Sequence, residues 1–317
     1  MPKIIIMNRT LKDYLVIGLK GIAMGAADII PGVSGGTIAF ITGIYEELIN
    51  SIKSINATNL KLLLKFKLKE FWQAVNGNFL LVLVSGIAFS FLSLAKVMLF
   101  LVHNYPIQIW AFFFGLVLAS VWYVISQIEK IQWKQMLSFV VGAIVAYFIT
   151  EQSPAETPNE LWFIFLCGAI TICVMILPAM SGGFILLLLG KYFYMMEALS
   201  TLNLKVIGVF VAGAIIGIIS FSNVLSWLLA RYRNITLALL GGFMFGSLNK
   251  IWPWKQTIEI FIDRHGVERP LIEKNILPHT YEQLTGSSHL VGAIALFLLG
   301  VSIVFVVEFI ANKLKTK

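Results

Sequence analysis

The sequence predicts an all-α polytopic membrane protein built as an inverted repeat, each half a Gly/Pro-broken, re-entrant helical hairpin followed by three transmembrane helices. Three observations predict this class. Apolar residues make up 58% of the chain and charged residues only 13%, with a mean hydropathy of +0.87; soluble domains sit nearer about 45–50% and about 25%. Pro31-Gly32-Val33-Ser34-Gly35-Gly36-Thr37 interrupts one apolar stretch, and Pro178-Ala179-Met180-Ser181-Gly182-Gly183-Phe184 interrupts another. Each half then contains a broken hairpin plus three ordinary spans. Whether a hairpin re-enters or crosses twice, the half makes an odd number of crossings, so the halves have opposite orientations. Broken helices in an inverted repeat are the architecture of secondary transporters.

The breaks carry the argument because hydrocarbon tolerates them so poorly. Proline removes a backbone donor and clashes with a continuing helix, and glycines remove the side chains that would hold one. An unpaired peptide group in lipid costs several kcal/mol, so such backbone must be buried in protein or line a wet cavity.

Taken in order, residues 11–55 read as the first hairpin, broken at Pro31 to Thr37. Residues 57–75 carry Lys61, Lys65, Lys67 and Lys69 among leucines, Phe66, Phe71 and Trp72, a basic amphipathic segment suited to a membrane interface. Residues 79–102, 107–128 and 136–150 read as three spans of membrane length. The first repeat is thus 1–150 and the second 151–317. The second opens with a polar loop at 151–160, and its hairpin covers 161–199. Spans at 206–230 and 235–252, a polar loop at 253–288 and a last span at 290–310 complete it. Ser34/Ser181, Gly35/Gly182, Gly36/Gly183 and Tyr45/Tyr192 share one offset, and Gly115 with Ser120 and Trp122 is echoed loosely by Gly242, Ser247 and Trp252.

The net charge of +8 reads as a topology signal and as attraction to anionic membrane lipids, with no nucleic-acid footprint. Lys3, Arg9, Lys12, Lys53, Lys61, Lys65, Lys67, Lys69, Lys130, Lys134, Arg231, Arg233, Lys313, Lys315 and Lys317 fall on one side of the predicted membrane. Lys205, Lys250, Lys255, Arg264, Arg269 and Lys274 fall on the other. The positive-inside rule makes the first side cytoplasmic, with both termini inside. The first hairpin then enters from the cytoplasm and the second from outside. Residues 1–12 are too poor in small residues for a cleaved signal peptide. Cys167 and Cys173 read as small core residues, and neither a disulfide, a metal site nor a cofactor is implied.

Helix starts leave free N–H groups and a partial positive charge, and glycine lets a ligand approach that backbone. Ser34, Gly35, Gly36 and Thr37, with Ser181, Gly182 and Gly183, therefore form a candidate anion site, and Lys191 is a candidate partner for a phosphate. The bland alternative is that the serines only cap helices, the glycines only permit close packing and Lys191 snorkels. Asp28 and Glu46 are proton-coupling candidates, since intramembrane carboxylates usually face a cavity or a partner. Lys20, Glu47, Glu197 and Arg231 are weaker candidates. Glu47, Glu197 and Glu308 read more simply as helix ends at the interface, Lys96 as a snorkelling lysine, and Arg231 and Arg233 as boundary markers.

At these residues a family comes into view. Residues 24–37 (MGAADIIPGVSGGT), Gly43-Ile44-Tyr45-Glu46, Ser181-Gly182-Gly183-Phe184-Ile185-Leu186 and Gly190-Lys191-Tyr192 resemble the bacterial polyprenyl-phosphate transporter family across nearly the whole chain. The resemblance implies a multi-pass translocase of the bacterial plasma membrane. It would return undecaprenyl phosphate, or a related polyprenyl phosphate, from the outer to the inner leaflet for cell-envelope synthesis. One departure is Ala179, where the family's second motif leads one to expect glycine.

Two other readings compete. The first is an intramembrane serine protease, because Gly32-Val33-Ser34-Gly35 matches the rhomboid G-x-S-G and His289-Leu290-Val291-Gly292 resembles the later histidine motif. The serine motif is duplicated while the histidine is not, and His289 begins its span instead of lying inside it. The second is a transporter or channel for a small anion, using the same helix starts. A scaffold without transport would leave both breaks unexplained.

Overall fold

A computed structural model describes residues 9–29, 34–262 and 268–315. The centre of the first break, Pro31 to Val33, lies outside the described residues, as do Lys3, Arg264 and Lys317 and most of the N-terminal segment.

The first half begins with α1 (Leu11–Asp28), opened by a capping box between Thr10 and Asp13. After the break come α2 (Gly35–Ile41) and α3 (Tyr45–Lys53). The Arg9 guanidinium bonds the Glu47 carboxylate at 2.6 Å, so the chain returns to the end at which α1 began. The basic segment forms two short helices, α4 (Ala57–Leu64) and α5 (Leu68–Ala74), with Leu64, Phe66 and Trp72 exposed. The expected single span at 79–102 is instead two helices, α6 (Gly77–Ser93) and α7 (Ala95–Asn104), interrupted at Leu94. Just before the interruption, the Ser93 hydroxyl donates to the Phe89 carbonyl, a back-bond that bends helices. Helices α8 (Pro106–Ser126) and α9 (Trp133–Thr150) follow.

The second half repeats the scheme with α10 (Leu161–Ile176), α11 (Gly182–Leu188) and α12 (Tyr192–Ser200). Here too the hairpin comes back to its starting end, where the Ala155 N–H donates to the Leu188 carbonyl at 2.9 Å. Helix α13 (Leu204–Arg231) is one continuous rod where its counterpart α6–α7 is broken. Helix α14 (Arg233–Ser247) passes into a 3-10 turn at Leu248–Ile251. The expected polar loop is a folded cap: β1 (Lys255–Ile262) pairs antiparallel with β2 (Glu268–Asn275), and α15 (Pro278–Thr285) follows. The Trp252 and Trp254 indoles pin it by donating to the Ile276 and Ser288 carbonyls. Helix α16 (Leu290–Lys315) closes the chain.

Helices α8, α9, α13 and α16 (over Leu290–Phe309) are long and apolar enough to cross a membrane, and six spans result if each of two bent pairs counts as one. The chain is therefore a multi-pass membrane protein. Its helices pack through small residues, as expected where lipid gives no hydrophobic drive for helices to associate. A Cβ on Gly21 would lie 2.4 Å from the Leu83 carbonyl oxygen, and one on Gly168 would lie 2.1 Å from that of Phe210. These contacts join α1 to α6 and α10 to α13. The same duplication joins α8 to α16 and α14 to α9, through Gly115 against Phe297 and Gly242 against Phe139. Helices α8 and α14 pack on one another at the centre, burying Val117, Val124, Leu237, Leu240 and Met244.

Both hairpins also turn alike. Gly43 and Gly190 adopt φ of +73° and +63°. Their N–H groups, and those of Ile44 and Lys191, return to carbonyls of α2 and α11 in a Schellman arrangement that requires a left-handed residue.

Candidate functional site

The two breaks meet. Helix α10 stops at Leu177, as a residue before proline tends to, and leaves the carbonyls of Met175, Ile176 and Leu177 without helical partners. The first hairpin supplies them. Ser34 Oγ faces the carbonyls of Leu177 and Met175 at 3.3 and 3.4 Å, and Tyr45 OH donates to Ile176 at 3.1 Å. In the other direction, the Ala179 N–H donates to Thr37 Oγ1 at 2.8 Å. Ser34, Thr37 and Tyr45 are all buried, and Gly36 fits only because it lacks a Cβ, which would lie 2.9 Å from the Ile176 oxygen.

The start of α2 is closed by its own hairpin. Ser34 caps it by accepting from the Gly36 N–H at 3.0 Å. The Asp28 carboxylate accepts from the Gly35 N–H at 2.6 Å, in the position an anion takes at a helix start. At the other end of α2 the Lys20 ammonium donates to the Thr42 carbonyl at 2.7 Å. Both charges come from α1, and each has the sign that the helix dipole favours at its end.

The start of α11 is different. Ser181 is its cap residue, yet its hydroxyl makes no capping bond. Gly182 is buried against Met175 and Thr171, while Gly183 is exposed and a Cβ there would meet nothing closer than 3.8 Å. The Thr171 hydroxyl is buried without a hydrogen-bond partner.

Lys191 closes the outer end of its hairpin. Its ammonium, 3% exposed as a residue, donates to the Thr157 carbonyl at 2.6 Å and to Asn159 Oδ1 at 2.7 Å, near the rings of Phe163 and Tyr194. The proton candidates also separate. Glu46 is exposed and bonds Arg233 at the start of α14, and Glu47 bonds Arg9 and Asn76. Glu197 is exposed in the last turn of α12, and Arg231 is exposed at the end of α13 beside Trp227 and Tyr232. The structure thus brings Ser34, Gly36 and Thr37, with Asp28 on Gly35, against the end of α10 and Ala179, just before Ser181 to Gly183, and leaves Glu46, Glu47, Glu197 and Arg231 at the hairpin and helix ends. Sequence reasoning missed Tyr45 as a tip-binding residue, although its repeat as Tyr192 was a visible signal.

With this geometry in place, the comparisons with known proteins are decisive. Residues 24–269 match the model of the VCA0040-like, undecaprenyl phosphate translocase-like family. The chain belongs to that family. It is 46% identical over 302 residues to a polyprenyl-phosphate transporter of Vibrio cholerae, covering 95% of this chain and 98% of that one. A polyprenyl-phosphate transporter of Staphylococcus aureus is 29% identical over 270 residues, covering 77% of this chain and 91% of its own. No solved structure matches the chain.

Proposed function

We propose that this protein translocates undecaprenyl phosphate or a related polyprenyl phosphate from the outer to the inner leaflet of the bacterial plasma membrane, returning the lipid carrier for cell-envelope synthesis. On this reading the two halves form an inverted repeat with both termini cytoplasmic, and hairpin one opens toward the cytoplasm and hairpin two toward the outside. The phosphate binds where the tips meet, at Ser34 to Thr37 and Ser181 to Gly183, while the isoprenoid tail stays in lipid. The observation that carries it is the Thr37–Ala179 hydrogen bond, which ties the first turn of α2 to the polar break before α11 inside an apolar bundle. Backbone of this kind is tolerated in a membrane where it is buried in protein or lines a cavity.

Asp28 has a specific part in this reading. Its carboxylate holds the Gly35 N–H that a phosphate would otherwise use. Protonation weakens that hold and lets a phosphate take the position, so phosphate and proton exchange at one helix start. Asp28 fits the proton role better than Glu46, whose carboxylate is paired with Arg233.

The test is translocation of a polyprenyl phosphate in proteoliposomes, read as accessibility of the lipid phosphate on each side. Ser34→Ala and Ser181→Ala proteins should insert normally and lose translocation, and Gly35→Leu, where even a Cβ would lie 2.5 Å from the Asp28 carboxylate, should lose translocation together with yield. Wild-type activity in Gly35→Leu would overturn the site. Movement of a soluble anion with no change in lipid phosphate accessibility would overturn the substrate. Asp28→Asn should abolish any response to an imposed pH gradient, and transport by the wild type that ignores such a gradient removes the proton role.

A further inference from the structure

Lys250 reads in the sequence as a charge at the end of a span, beside the polar loop. The fold gives it a different place. It sits in the 3-10 turn after α14, half-buried, with its ammonium 4.6 Å from the centroid of the Phe184 ring. Phe184 directly follows Gly183, which is exposed and where a Cβ would come no closer than 3.8 Å to Ser181 Oγ. Among the described residues no carboxylate pairs with this ammonium. The nearby Glu273 carboxylate is taken by Lys255, at 3.3 Å, which also donates to the Lys250 carbonyl at 2.7 Å. An ammonium held over an aromatic face keeps its charge and its N–H donors. Placed where water thins, an unneutralised cation calls for an anionic partner.

We propose that Lys250 binds the lipid phosphate of the translocase reading, reaching over Phe184 to a phosphomonoester seated beside Ser181 and Gly183. This rests on that reading and supplies the second hairpin with the cation that Lys191, tied to Thr157 and Asn159, does not provide. Tyr123 occupies the corresponding position in the first half, so the cation belongs to one half alone. The second hairpin then offers a positive partner to the phosphate, while the first offers the Asp28 carboxylate in the same place. Capture is tighter at the second hairpin as a result.

Binding of a polyprenyl phosphate and of the matching neutral polyprenol to the purified full chain, compared by native mass spectrometry, tests this. The wild type should prefer the phosphate. Lys250→Met, which keeps the stem over Phe184, should weaken phosphate binding by roughly tenfold to a hundredfold, the loss of one hydrogen bond to a charged group. It should leave polyprenol binding unchanged. Lys250→Arg should restore the preference, and Lys274→Ala, at an exposed strand lysine, should not alter it. Lys250→Gln serves the same comparison if Lys250→Met does not fold. An undiminished phosphate preference in the neutral variants overturns the role of Lys250. No preference in the wild type overturns the translocase reading instead.

Discussion

The two hairpins share a backbone design and differ in charge. Helix α2 has a carboxylate at its start and an ammonium at its end, both from α1. Helix α11 has an unbonded serine cap at its start, and the carbonyl at its end is met by the neutral hydroxyl of Thr157. The bonds between the tips are equally one-sided. Ser34, Thr37 and Tyr45 of the first hairpin give side chains, and the second gives only the backbone of Met175 to Leu177 and Ala179. On the proposed reading the first hairpin is the frame and the second the open receptor. A duplicated motif need not mean a duplicated role.

The largest test of that difference places one bulky side chain in each tip. At Gly36 even a Cβ falls 2.9 Å from the Ile176 oxygen and 3.1 Å from Ser34 Oγ, both in tightly held backbone or caps. Gly36→Leu should destabilise by more than about 3 kcal/mol, the upper range for overpacking. The yield of monodisperse protein should collapse with translocation. At Gly183, which is exposed, a Cβ meets nothing closer than 3.8 Å, so Gly183→Leu should leave yield and melting temperature near wild type while translocation is lost. Equal yields for the two variants would erase the distinction between frame and receptor.

Much of this was legible in the sequence, for definite reasons. The breaks, the repeat of Gly43 as Gly190 and the spans are local consequences of proline, glycine and apolar runs. That the two breaks lie close together was also expected from the sequence, and the Thr37–Ala179 hydrogen bond joins them. Contacts made by long side chains were not. Lys191 looked like a phosphate partner by its distance from Gly183, but four flexible carbons carried its ammonium back to Thr157. Glu46 looked like an intramembrane acid and Glu47 like an interfacial helix end, and they find arginines that are 187 and 38 residues away in sequence. The interruption at Leu94 and the β-hairpin cap were also hidden. One lies in an unbroken apolar run, and the other forms from strands short enough to pass as loop.

The surroundings of the hairpins also predict different responses to pH. Near the first, Arg9 and Arg233 face carboxylates. Beside the second, burial pushes Lys255 in the cap from 10.5 down to about 8, with Glu273 only partly opposing. When the cap is undocked the lysine holds its proton up to about its ordinary range, and when docked it releases it earlier. Between those values the undocked state binds more protons, so docking strengthens as pH rises from about 8 to about 10.5 and is weakest below about 8. The full effect is on the order of 2–3 kcal/mol by the linkage between pKa and free energy. The protection factors of β1 and β2, with the intrinsic base-catalysed exchange rate divided out, should rise across that window in the wild type and stay flat in Lys255→Met. A flat wild-type profile would mean that the ammonium is solvated.

A smaller effect is expected where the frame holds the receptor. Thr37→Val keeps the shape of the side chain but removes the acceptor of the Ala179 N–H, which is buried with it. Leaving that donor unpaired should lower stability by about 1–3 kcal/mol. Thr37→Ser keeps the acceptor and should recover most of the loss. Equal melting temperatures for the valine and serine variants would show that the tips are held by packing alone.

The last variant concerns Ala179 in the second break. Ala179 has φ of +62° and is 3% exposed, in a left-handed conformation that costs an L-residue roughly 1–2 kcal/mol. Glycine would remove that strain, but it also gains freedom in the unfolded chain, which offsets roughly 0.5–1 kcal/mol. Ala179→Gly should therefore stabilise by about 0.5–1 kcal/mol, a rise in melting temperature of roughly 1–3 °C for a chain of this size. The Thr37 bond should persist, since it uses the backbone N–H. Without the methyl the backbone between Pro178 and Ser181 is more open, so phosphate affinity should rise slightly or stay level. A fall in stability would mean instead that the methyl fills space between the tips, and that the second hairpin is held partly by packing that its motif does not reveal.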